Sequence, residues 1–146
     1  MFDIDTDWGQ IHFSRDIVKQ ICLDSVNSCK GKVAVHHYRG KGRGKGRGKG
    51  EAIFQQRRAR ADFDDIRIQG SEDALEITIY IVIGFGVSIK GSAEHIINRT
   101  FQQMEEVFGV TPKKVTVINT GTASRDVMAR HMEFYRTSAS DEIVEV

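Results

Sequence analysis

The sequence has little that would staple, anchor or export it. Only two of its 146 residues are cysteine, Cys22 and Cys29. The helix predicted around them would hold their Cα atoms about 10 Å apart, too far for a disulfide. They read as small core or interface residues of a reducing compartment. No apolar run approaches the roughly eighteen residues that cross a bilayer; the longest, Ile79 to Ile83, is strand-sized. The first residues, Met1-Phe-Asp-Ile-Asp-Thr-Asp7, are acidic where a secretion signal is basic. Phe2 also stands where myristoylation needs glycine. These absences point to a cytoplasmic chain whose membrane contact is at most peripheral.

A large net charge is missing too, but only in the total. The formal charge is +1. From Lys30 to Arg60 the chain carries eleven Lys/Arg against one acid, Glu51, a local excess of +10; the remainder has ten against nineteen, or −9. The neutral sum therefore describes an acidic body with a basic arm. The length suits a single domain, and setting aside the arm and a polar tail leaves enough chain for one modest core.

Hydrophobic spacing sets out the elements. Gln10 to Phe13 alternates, and Ser14 is an apt N-cap for a helix bearing Val18, Ile21, Cys22, Val26 and Cys29 on one face. Gly31 closes that helix, and Val33 to Tyr38 has strand composition. Ile66 to Gln69 alternates before a Gly70-Ser-Glu-Asp turn. The strongest strand is Leu75 to Ile83, with Leu75, Ile77, Ile79, Ile81 and Ile83 on one face and Glu76, Thr78, Tyr80 and Val82 on a wetter one. Ser88 caps a second helix, with Ile89, Ala93, Ile96, Ile97, Thr100, Phe101, Met104 and Phe108 at helical spacing and Gly109 at its end. The single proline, Pro112, bars continuation, and Val115 to Asn119 forms a closing strand. Val127, Met128, His131, Met132 and Phe134 suggest a short amphipathic helix within 124–137. The expected fold class is α+β: one mainly antiparallel sheet with two helices on one face. Residues 1–122 form the domain, a basic insert spans 39–50, and 123–146 are a C-terminal helix or tail.

The arm, Arg39 to Gly50, alternates strictly between cation and glycine. It has no apolar side chain to bury and maximal backbone entropy, so disorder is expected. Arg39, Lys41, Arg43, Lys45, Arg47 and Lys49, joined by Arg57, Arg58 and Arg60, are the candidate anion- or nucleic-acid-binding residues. RNA, DNA and anionic lipid headgroups all fit such a chain. No aromatic residue interrupts the arm, so base-specific reading is not expected of it. Its glycines all have even numbers. Neither Gly-x-x-x-x-Gly-Lys nor Gly-x-Gly-x-x-Gly, both of which need glycines five apart, occurs there.

Other candidates give way to plainer readings. Gly84-x-Gly86-x-x-Ile89 imitates a dinucleotide fingerprint, but the third glycine is missing and the following helix is expected to lead into a hairpin-like sheet. His36 and His37 would point to opposite faces of a strand, and no Cys/His spacing fits zinc. Asp62, Asp64 and Asp65 read as a solvated turn, and Ser14, Ser88 and Ser124 lack a nucleophile context. Trp8, before the first strand among aspartates, reads either as a cap on the sheet or as a partner contact. No catalytic residue, metal or cofactor is expected.

Two segments resemble a known family. Gly9-Gln-Ile-His-Phe-Ser14 with the Ile17/Val18 helix is similar to the opening of the alkaline shock, or general stress, proteins of Gram-positive bacteria. The strand Ile77 to Ile83, the turn Gly86-Val87-Ser88-Ile89, its helix and Val115-Thr-Val-Ile118 resemble that family's central signature. The likeness covers about 9–37 and 75–120; Lys90-Gly91 replaces the usual proline, and the arm lies outside it. It implies a non-enzymatic cytoplasmic protein linked to cell-envelope stress, held near the membrane through a protein partner, with some relatives implicated in regulating lipid metabolism. An interaction module, prone to self-association, is one expectation. A nucleic-acid-binding protein using the arm is the alternative.

Overall fold

The computed structural model describes residues 2–6, 9–39, 65–71 and 73–146, with 2–6 and 9–13 described by their backbone alone. In chain order the elements are β1 (Phe2–Thr6), β2 (Gly9–Phe13), α1 (Arg15–Asn27), β3 (Val33–Val35), β4 (Ile66–Gln69), β5 (Glu76–Gly84), α2 (Ile89–Phe108), β6 (Lys114–Ala123), β7 (Val127–Thr137) and β8 (Val144–Glu145). β1 and β2 form an antiparallel hairpin of their own. The other six strands make one sheet in the order β3-β5-β6-β7-β8, with β4 also paired to β5. β3 meets Ile81 to Ile83 and β4 meets Glu76 to Ile79, so the two short strands share one edge of β5 end to end.

Local chemistry starts and stops the helices. Ser14 accepts from the Ile17 amide at 3.3 Å, and Ser88 accepts from the Gly91 amide at 3.0 Å; each hydroxyl satisfies an amide that the helix leaves unpaired. α2 ends on Gly109 at φ 66, ψ 20, a left-handed cap that favours glycine. Both helices lie on one face of the sheet. Val18, Cys22 and Val26 of α1, Ala93, Ile97, Phe101 and Met104 of α2, and Ile77, Ile79, Ile81 and Ile83 of β5 belong to one buried cluster. Every aliphatic residue foreseen on the inner face of β5 is at most 1 % exposed. The α+β class and the mainly antiparallel sheet are as expected.

Two elements differ from expectation. β5 and β6 run parallel, Glu76 opposite Lys114 and Ile79 opposite Val117, so α2 is the crossover of a βαβ unit and not a lead into a hairpin. A twenty-residue helix is long enough to return the chain to the same end of the sheet. The amphipathic helix expected within 124–137 is instead the eleven-residue strand β7, antiparallel to β6. β6 would otherwise present an open row of amides and carbonyls, and β7 pairs them. The helical spacing arises from an irregularity. Asn119 lies opposite Met132 but Gly121 lies opposite Ala129, so one residue of β6 faces two of β7. Val127 consequently joins a small cluster with Ala34, Val82 and Ala123, whereas Phe134 joins the main core.

Asn119 and Thr120 hold that irregularity. Buried Asn119 donates from Nδ2 to the Arg130 carbonyl at 2.8 Å, supplying a donor where the ladder lacks one. Thr120 Oγ1 accepts from the Tyr38 amide at 2.9 Å. Its single proton serves the carbonyls of Ile81, at 2.9 Å, and His36, at 3.1 Å. One hydroxyl thus ties the chain leaving β3 to the centre of the sheet.

Candidate interaction surface

The sheet's second face is built differently from the first. Along β5 its side chains are Glu76, Thr78 and Tyr80, all half-buried, before Val82 is buried again. His36 donates its amide to the Tyr80 carbonyl at 2.9 Å, and the Tyr80 amide donates to Asp65 at 3.1 Å. Tyr80 is therefore the point where the β5 edge passes from the chain leaving β3 to the chain entering β4. Residues 40–64, which include all of the arm but Arg39, lie in sequence between these two ends.

Three contacts between charged or aromatic groups gather there. The His37 ring stacks on Tyr80 with centroids 4.1 Å apart and an interplanar angle of 9°. The Arg67 guanidinium lies 5.4 Å from the same ring's centroid. His36 Nδ1 and Asp65 Oδ2 are 3.8 Å apart. Burial, then the positive charge of Arg39, lowers the His37 pKa from its usual value; Asp65 opposes this, and Arg67 and His36 add to it. Two strands away on the same face, the Lys114 ammonium sits 4.6 Å from the centroid of Tyr135. Thr116, opposite both Thr78 and Tyr135, and Ile118, opposite Tyr80, lie between the two aromatic groups.

Of the cationic residues singled out in the sequence, Arg39 is described and exposed. Lys41, Arg43, Lys45, Arg47, Lys49, Arg57, Arg58 and Arg60 lie outside the described residues, as do Trp8, Asp62 and Asp64. Asp65, expected in a solvated turn, is buried against the sheet. Sequence reasoning missed Arg67, Lys114 and Tyr135 as surface groups. Only the alternation of β5, which put Tyr80 on its wetter face, hinted at this surface.

The signature turn lies elsewhere. Gly86 adopts φ 87, in the left-handed region that turns need from glycine. Val87 packs against the main core, and Ser88 spends its oxygen on the Gly91 amide. Together with Ser28, Cys29, Lys30, Ser92 and His95 they line a cleft of about 300 Å³ between the end of α1 and the start of α2. Ser28 Oγ and His95 Nε2 are 2.8 Å apart, which imitates an activated nucleophile. Proton accounting gives the pair another role. Ser28 donates its hydroxyl proton to the Ser25 carbonyl at 2.7 Å, so it accepts from the imidazole instead of losing a proton to it. Burial pushes the Cys29 thiol up to about 11 and the Cys22 thiol to about 12, which leaves neither as a ready thiolate. Among the described residues no group of three or more His, Cys, Asp or Glu is placed to hold a metal ion.

The fold, the signature turn and the helix it caps coincide with a family assignment. The model of the alkaline shock protein 23 family, cell envelope-related function, matches residues 3–122, and the chain belongs to that family. No curated protein and no solved structure matches the chain. The matched span runs from β1 to the end of β6 and leaves out β7 and β8. Among the described residues no helix is long and apolar enough to cross a membrane.

Proposed function

We propose that this protein is a non-catalytic interaction module that serves the cell envelope from the cytoplasm, associating with a protein partner or with further copies of itself near the membrane. Membership of an envelope-related family carries the reading. The inward use of Ser28's proton donors and acceptors and the raised thiols support binding over chemistry. The Phe85 side chain, 80 % exposed just before the signature turn, and Met128, 71 % exposed, are apolar groups that a partner could cover.

A second reading, nucleic-acid binding, gains support from one observation. The described chain stops at Arg39 and resumes at Asp65, and both ends lie near Tyr80, which stacks with His37 and faces Arg67. Affinity purification of the full chain and of a chain lacking residues 40–50, each with and without nuclease, separates the two. The module reading expects a partner retained after nuclease and after the deletion. Loss of all capture on nuclease treatment would replace it with the nucleic-acid reading.

A further inference from the structure

The cleft between the end of α1 and the start of α2 has features that folding alone does not explain. Ser88, Gly91, Ser92 and His95 recur at helical spacing along the side of α2 that lines it. Ser92 is only 8 % exposed, yet its hydroxyl has no hydrogen-bond partner among the described residues. A hydroxyl buried in this way has lost water without a replacement. Ser88 accepts from the Gly91 amide and keeps its own proton unspent. Gly91 stands inside the first turn of α2, where the helical backbone does not require glycine and glycine weakens the helix. A Cβ at this position would lie 3.1 Å from the Ser88 oxygen and meet no side chain but that of Ser88, so glycine leaves this wall of the cleft open.

Charge around the cleft has one sign. Lys30 lines it with no ion-pair partner among the described residues, and no carboxylate lines it. The α1 C-terminus and the α2 N-terminus meet there with opposite partial charges that offset each other. One full positive charge is left, which suits a ligand with one negative charge. Val87 and Cys29 give the cleft an apolar wall, and its volume of about 300 Å³ is that of a small-molecule site. We infer that this cleft binds a small organic monocarboxylate, whose carboxylate accepts from Ser92, Ser88 and the Lys30 ammonium while its apolar body lies against Val87 and Cys29. An ionised carboxylate only accepts, which matches a set of donors that have no acceptor. Ser28 and His95 stand outside that set, since they are spent on each other and on the Ser25 carbonyl. The inference depends on neither the arm nor the outer sheet face.

The test titrates phenylacetate, hexanoate, the uncharged phenylacetamide and inorganic phosphate into the isotopically labelled full chain, following the amide signals of Lys90, Ser92 and His95 by NMR. Phenylacetate or hexanoate should shift these signals saturably at millimolar concentration or below, and phenylacetamide should bind at least about tenfold more weakly than phenylacetate. Ser92→Ala should weaken the carboxylate about tenfold, and Lys30→Met about two- to fivefold. Gly91→Leu supplies a better helix former and should abolish binding by filling the cleft. Thermal melts of the same proteins show whether each variant has folded. No saturable shift with either carboxylate would overturn the site. Equal binding of phenylacetate and phenylacetamide would overturn the anion recognition and leave an apolar cleft. Phosphate binding tighter than both carboxylates would overturn the choice of ligand class. Undiminished binding by well-folded Ser92→Ala and Gly91→Leu proteins would place the ligand elsewhere and overturn the inference.

Discussion

The two faces of strand β5 have the same backbone and opposite chemistry. Inward, Ile77, Ile79, Ile81 and Ile83 lie against two helices with almost no exposed surface. Outward, Tyr80 is half-buried and keeps company with a histidine and an arginine. The inner face is a packing solution, in which volume and periodicity decide the residue. The outer face spends its positions on flat rings and cations, which stay half-buried or exposed where the inner aliphatic residues are fully buried. A sheet that had to be stable on both sides would carry apolar side chains on both, as β5 does only at Val82.

The largest effect that this contrast predicts is on the inner face. Phe101→Ala should cost about 3–5 kcal/mol in chemical denaturation, because it empties a fully buried site and removes the ring beneath Arg136. Thr120→Val tests the link between the faces. It keeps the shape but leaves the Tyr38 amide and two carbonyls without their hydroxyl partner, and a loss of about 1–3 kcal/mol is expected. On the outer face, Arg67→Ala should shift stability by only about 0.5–1 kcal/mol. A cost comparable to that of Phe101→Ala would erase the distinction.

The smallest expected effect is a pH dependence at His37. Its folded pKa lies below the unfolded value, so the unfolded chain takes up the proton first as the solution is acidified. Stability from this group is present above the unfolded pKa and is lost as pH falls through it towards the folded pKa. His37→Gln should flatten that acid limb in melts recorded between neutral and mildly acidic pH. An unchanged acid limb would assign the dependence to other groups.

Much of the fold was legible because its signals are local. Ser14, Ser88 and Gly109 sit at the helix ends that their side chains or backbone conformation dictate, and the alternation from Leu75 to Ile83 names the inner face correctly. β7 was not legible, since its irregularity opposite Thr120 breaks the period of two and leaves a spacing that mimics a helix. The parallel pairing of β5 and β6 is a property of the crossover and leaves no mark on either strand alone. For the surface, sequence showed the charge of the arm but not where it joins the sheet. The meeting of His37, Arg67 and Tyr80 depends on β3 and β4 sharing one edge, across a span of thirty residues from Val35 to Ile66 that no local pattern connects.

The central claim is that the helix-covered face holds the fold and that the arm adds nothing to its stability. Thermal unfolding of the chain lacking residues 40–50 tests it most directly. Shortening the connection lowers its closure entropy cost by about 0.5 kcal/mol. The claim therefore predicts one cooperative transition with a midpoint unchanged or raised by about 2–3 °C. A midpoint lowered by about 10 °C or more, equivalent to several kcal/mol, would show that the arm is part of the folded core and would contradict the division.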